Sequence, residues 1–285
     1  MFKYSAIIFD IIDSRKYDNR YNVQIVVKDS IDYLNKIFEK YIVKNVIFGA
    51  GDECQGLFKN VESAFLYVRK LQLLIYPIEI RCGIGYGGIE YMEDKWDSTE
   101  IDGKAYYNAR DAINSIPGKK KSVILFKLEN RYDKYLNMYS LYGSSLKSKQ
   151  SQMVKLIEML ADIACPIVNK KCFYEEEKNV FYKGLLEYKK ELIDDEFKKK
   201  MLYENRKINI DNSELYFPFR YFDSENIDDS GLFIDYYWER GLSSLIAEII
   251  DTSRQNVDKH ISLGRVKDSR NIDYTILLML GEELC

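Results

Sequence analysis

The sequence predicts an α+β protein, with an N-terminal ferredoxin-like, palm-type βαββαβ domain followed by an all-α C-terminal domain. Three observations carry that expectation. Short apolar runs alternate with amphipathic helical patterns through residues 1–130. Two of those runs flank a Gly- and Asp-rich turn and read as a hairpin. From about residue 145 onward the apolar spacing is almost entirely helical.

Residues 3–12, KYSAIIFDII, form a short apolar run and read as a buried strand. DSRKYDNR follows as a polar connection. Val23, Val26, Val27, Leu34, Ile37, Phe38 and Tyr41 then recur at helical spacing. VIFGAGDECQGLF reads as strand, turn, strand. Asn60 is a suitable N-cap for a second helix, VESAFLYVRKLQLLI. IEIRCGIGYGGIEYM is a strand whose glycines let a neighbour approach the backbone. Residues 103–115 read as a short helix and SVILFKL as a last strand. Two βα units around a hairpin place helices on one face of the sheet and set Asp10 beside the hairpin that carries Asp52.

Residues 130–152 are polar and tyrosine-rich and read as a boundary between domains 1–130 and 145–285. Helical patterns follow at 153–168, 180–203 and 232–250, with 204–230 as a loop.

Charge and rare residues narrow the chemistry. The net charge is −3, so no global field calls for nucleic acid or an anionic membrane. The five cysteines are odd in number and scattered, which supports neither a disulfide framework nor a zinc knuckle. No run is long enough to span a membrane, and a reducing cytoplasm is the expected compartment. With a single histidine, His260, a catalytic metal elsewhere would need oxygen ligands, which points to Mg²⁺, Mn²⁺ or Ca²⁺.

Asp10 and Asp52 are the candidate metal ligands, with Glu53 and Asp13 nearby. An aspartate inside IIFDII is costly without a role. Two carboxylates on neighbouring strand ends can hold divalent cations that clamp a nucleoside triphosphate. Ser14 and Arg15 precede a helix, where anions are favoured, and Gly51 would admit a phosphate to the backbone. Arg110, one helical turn after Tyr106, is a candidate for neutralising phosphate charge. The plainer alternative is an ordinary acidic turn and a surface arginine.

FDIIDSR, GDECQGLF, IRCGIGYGG and DGKAYYNARDAI, in this order and spacing, resemble the SatD family of bacterial proteins. More distantly the four blocks resemble the palm-type catalytic domain of class III nucleotide cyclases, and AGDEC resembles the GGDEF hairpin of diguanylate cyclases. The cyclase likeness implies metal-binding roles for Asp10 and Asp52 and a transition-state role for Arg110. Tyr106 replaces the partner asparagine, Phe48 stands at the adenine-selecting lysine, and the second base-reading position falls near Glu100. What the likeness implies is therefore metal-dependent binding of a nucleoside triphosphate or other nucleotide. Cyclisation or nucleotidyl transfer is left open, as is a homodimer that completes the site.

The tail carries a different pattern. In residues 242–264, Ala247, Ile250, Val257 and Ile261 sit where a helix-turn-helix keeps its packing residues, with Asp251 at the turn and Ser253 as cap. Arg254, Gln255, Asn256 and Lys259 would then face the major groove of DNA. Residues 253–270 hold five basic side chains against two acidic ones. A plain helical hairpin is the alternative. Three functions thus compete: a Mg²⁺- or Mn²⁺-dependent nucleotide enzyme, a non-catalytic nucleotide sensor that regulates through DNA or a protein partner, and a cytoplasmic interaction protein that uses the fold only as a scaffold.

Overall fold

The computed structural model describes residues 2–17, 20–49, 51–93, 95–118, 122–165, 167, 238 and 240–283. The helical pattern at 180–203, the loop at 204–230, Cys172 and Cys285 lie outside them. The chain divides into two compact units, Met1–Ser145 with Met279–Cys285, and Leu146–Leu278.

The first unit is built on one antiparallel sheet. Its strands are β1 (Lys3–Ile11), β2 (Ile42–Phe48), β3 (Glu53–Phe58) and β4 (Ile80–Tyr91), in the spatial order β2-β3-β1-β4. A two-residue β5 (Asp102–Gly103) and the parallel β6 (Ile124–Lys127) both pair with β4. Helix α1 (Arg20–Ile37) follows β1 and α2 (Val61–Ile75) follows β3. The protein is α+β, and the order β1-α1-β2-β3-α2-β4 is the one the apolar periods predict.

The two faces of the sheet are covered differently. Alternation in β1 sends Ser5, Ile7 and Phe9 to one face and Ala6, Ile8 and Asp10 to the other. Phe58 lies opposite Ser5 on the first face. There the ring of Tyr67 from α2 meets Phe58 and Phe38 edge-on at 5.2 and 5.3 Å. The second face belongs to α3 (Lys104–Asn114), so helices lie on both faces rather than one.

Glycine decides that arrangement. Gly83, Gly85 and Gly87 alternate along β4, opposite Ile8, Ala6 and Tyr4 of β1, and face α3. A Cβ on Gly85 would overlap the backbone of Ala105 and Ala109, and one on Gly83 that of Ala109 and Ile113. The helix lies directly on the strand because the row has no side chains.

Strand β2 is irregular. Its register with β3 shifts on both sides of Lys44. Asn35 of α1 donates to the Val46 carbonyl at 2.9 Å and accepts from its N–H at 3.1 Å. This side chain satisfies backbone groups that the bulge leaves without a ladder partner.

The stretch 130–152, within which the two units divide, contains α4 (Asp133–Lys147). Asp133 accepts from the N–H groups of Leu128 and Glu129 before its first turn. Ser140 and Ser144 donate to the carbonyls of Ile124 and Ser122. Its inward stripe is Leu136, Ser140 and Gly143, which hydrophobic spacing does not detect.

The second unit contains α5 (Gln152–Ala164), α6 (Leu242–Ile249) and α7 (Arg254–Leu263), with most of α8 (Val266–Glu283). Within it Arg270 pairs with Asp162 at 3.3 Å and also donates to the Cys165 carbonyl, all three residues being buried. No helix among the described residues is long and apolar enough to cross a membrane.

Candidate functional site

The end of β1 carries the site. Its register pairs Asp10 with Glu53 on β3 and with Arg81 on β4. Residues directly opposite in antiparallel strands share a face, so Glu53, Asp10 and Arg81 form one cross-strand row on the α3 side. Gly83, Gly85 and Gly87 continue the alternation of β4 on this face, so Arg81 alone of these four positions bears a side chain.

Arg81 grips Asp10 with two parallel hydrogen bonds. Its Nε donates to Oδ1 at 2.7 Å and its Nη2 to Oδ2 at 2.5 Å. Arg110 reaches the other carboxylate from α3, with Nη2 donating to Glu53 Oε1 at 2.7 Å and Nη1 to Oε2. Such fork-to-fork pairs are the strongest side-chain hydrogen bonds available to a carboxylate. Hydrogen bonding to Asp10 pushes the Arg81 guanidinium pKa above its usual value, and Glu53 does the same for Arg110.

Asp52 stands one residue before β3, in the hairpin turn, and has no hydrogen-bonding side chain on it among the described residues. The turn is closed by the Gly49 N–H donating to the Glu53 carbonyl at 2.8 Å. Gly51 has φ 78°, a left-handed conformation that glycine adopts without strain, and open space around it. Gly56 serves packing instead, because a Cβ there would collide with Val46.

Ser14 and Arg15 lie in a single 3₁₀ turn, Ser14–Lys16, after Asp13. Ser14 is buried and Arg15 exposed. Tyr106 is buried in the cluster of Ala6, Ile8, Leu57 and Ile101, and its hydroxyl has no hydrogen-bond partner among the described residues. Burial pushes its pKa up.

The register therefore brings together Asp10, Glu53 and Arg110 of the predicted residues, and adds Arg81. Nothing in IRCGIGYGG marks that arginine, since its partner is Asp10, 71 positions earlier in the chain. Only the pairing of β1 with β4 finds it.

Oxygen donors of this kind suit Mg²⁺ or Mn²⁺ in chemistry. Asp10 and Glu53, however, each spend both oxygens on a guanidinium. Among the described residues no group of three or more His, Cys, Asp and Glu side chains is arranged to hold a metal ion.

Of the tail residues, Arg254, Gln255, Asn256 and Lys259 lie on α7. Ala247, Ile250, Val257 and Ile261 are buried, while Arg254, Gln255 and Lys259 are exposed. Ser253 caps the helix by accepting from the Asn256 N–H at 3.2 Å. Asp251 has φ 50° in the connection between α6 and α7. Arg254 also pairs loosely with Asp258 at 3.4 Å, and Asn256 donates to Thr252 at 3.0 Å.

A family model described as the SatD family matches residues 4–215. No curated protein matches the chain. Among solved structures, one described as a bacterial light-regulated adenylyl cyclase aligns at 17% identity with a TM-score of 0.30. That alignment covers 44% of this chain and 42% of the other, so this chain spans less than half of that protein.

Proposed function

The chain belongs to the SatD family, and from that premise we propose that it binds a nucleotide together with a divalent cation, Mg²⁺ or Mn²⁺, at the β1–β3–α3 corner. One observation carries the reading. Two carboxylates and two guanidiniums share one face of the sheet at the end of β1, beside the open hairpin turn of Asp52 and Gly51.

Each group has a chemical task. Asp10, Asp52 and Glu53 supply anionic oxygens of the type a hard cation takes. Arg81 and Arg110 present planar forks matched to phosphate oxygens. Ser14 and Arg15 add donors on the segment that leaves β1, and Gly51 admits a phosphate close to the backbone. A cation bound there would neutralise charge developing on a transferring phosphoryl group. The reaction class that fits is nucleotidyl transfer, of which cyclisation is one case.

Calorimetry of the full chain with Mg²⁺ and each of the four common nucleoside triphosphates tests this. Binding of at least one is expected, weakened about tenfold or more in Asp10→Asn and Asp52→Asn. No binding of any of the four would overturn the reading. Pyrophosphate release, lost in the same variants, then separates enzyme from sensor.

The exposed face of α7 favours a second role for the tail. In this reading a nucleotide bound at the first unit is sensed without turnover, and Arg254, Gln255, Asn256 and Lys259 contact DNA. Retention on duplex DNA that weakens steeply with salt, and that Arg254→Ala and Lys259→Ala reduce, is the expected outcome.

A further inference from the structure

Asp10 and Glu53 stand directly opposite each other on adjacent strands. Like charges in such a pair destabilise the sheet unless something neutralises them. Here each carboxylate is neutralised separately, Asp10 by a guanidinium from the next strand and Glu53 by one from the covering helix. A bidentate guanidinium engages both oxygens of a carboxylate and sets a positive charge where a cation would approach. Cation and guanidinium therefore compete for the same atoms.

Resting on the nucleotide-binding reading above, we propose that Arg81 and Arg110 are exchange residues: they hold the carboxylates closed when the site is empty and transfer to nucleotide phosphates when a cation takes the carboxylates. The net charge of the site changes sign between the two states. With Asp52 included, three carboxylates face two guanidiniums, leaving one negative charge. A divalent cation turns that into one positive charge and frees two forks for an anion. Arg81 thus opposes the cation alone and supports the cation with its nucleotide. A merely structural ion pair would have no such double sign.

Arg81→Met keeps most of the aliphatic stem and removes the fork. Free Mn²⁺, followed by its electron paramagnetic resonance signal, reports binding of the metal alone. A non-hydrolysable ATP or GTP analogue with Mg²⁺, followed by calorimetry, reports the ternary complex. Losing one charge-assisted fork is expected to tighten Mn²⁺ about tenfold and to weaken the Mg²⁺-nucleotide complex about tenfold. Arg81→Lys, a point charge without the fork, is expected to fall between.

The exchange is overturned if Arg81→Met shifts both affinities in the same direction or leaves both where they were. Failure of the nucleotide reading looks different, because the wild-type chain then binds no nucleotide with Mg²⁺ at all. Should Arg81→Met fail to fold, as its thermal unfolding would reveal, Arg110→Met carries the same test at Glu53. The Arg110 side chain is 43% exposed and its removal opens no core.

Discussion

The two arginine–carboxylate pairs are not equal in energy. In the Arg81–Asp10 pair the side chains are 15% and 22% exposed, whereas in the Arg110–Glu53 pair they are 43% and 27% exposed. Water screens the second pair more, so less stability depends on it. Asp10→Ala leaves a largely buried guanidinium without its acceptor and is expected to cost about 1.5–3 kcal/mol. Glu53→Ala is expected to cost about 0–1 kcal/mol. Urea unfolding of the two variants checks the order, and equal losses would contradict it. Asp10 and Arg110 were legible as candidates because an acid in an apolar run and an arginine one helical turn after Tyr106 are local signals. Arg81 was not legible, since its meaning depends on strand register. The value of Glu53 over Asp52 as the partner opposite Asp10 depends on the same register.

At the scale of elements, α3 is the piece that turns a sheet into a site. It carries Arg110 to Glu53 only because β4 offers it a row of glycines. Gly85→Ala is expected to push the helix off the strand, at about 1–3 kcal/mol of overpacking. A fall in Tm together with weaker nucleotide binding is the expected pair of readouts, and an unchanged Tm would count against the close contact. The strands and first two helices were readable from apolar period alone. The side of the sheet that α3 covers was not, because glycines spaced two apart look the same whether a ligand or a helix lies on them. Helix α4 escaped notice for a related reason: it is held by serine hydroxyls and an aspartate at its start rather than by an apolar stripe.

Taken as a whole molecule, the chain has an alkaline weakness in each unit. Tyr67 and Tyr106 of the first unit and Tyr274 of the second are buried. Burial pushes the Tyr274 phenol up to about 12 and raises Tyr67 and Tyr106 as well. Below about pH 10 these phenols are protonated in the folded and unfolded chain alike. Above it the unfolded chain loses protons that the folded chain keeps, so stability declines as pH rises. Phenolate absorbance is expected to show a late group of tyrosines that ionise only as circular dichroism is lost. Ionisation of all tyrosines near pH 10 without unfolding would contradict this.

The broken edge of β2 bears on how copies of the chain can meet. Exposed strand edges are templates on which further strands polymerise. Here the run is interrupted in its middle, and the side chain of Asn35 already occupies the amide and carbonyl of Val46. A neighbouring molecule finds no continuous ladder to extend there. The edge is a deterrent to fibre-like stacking.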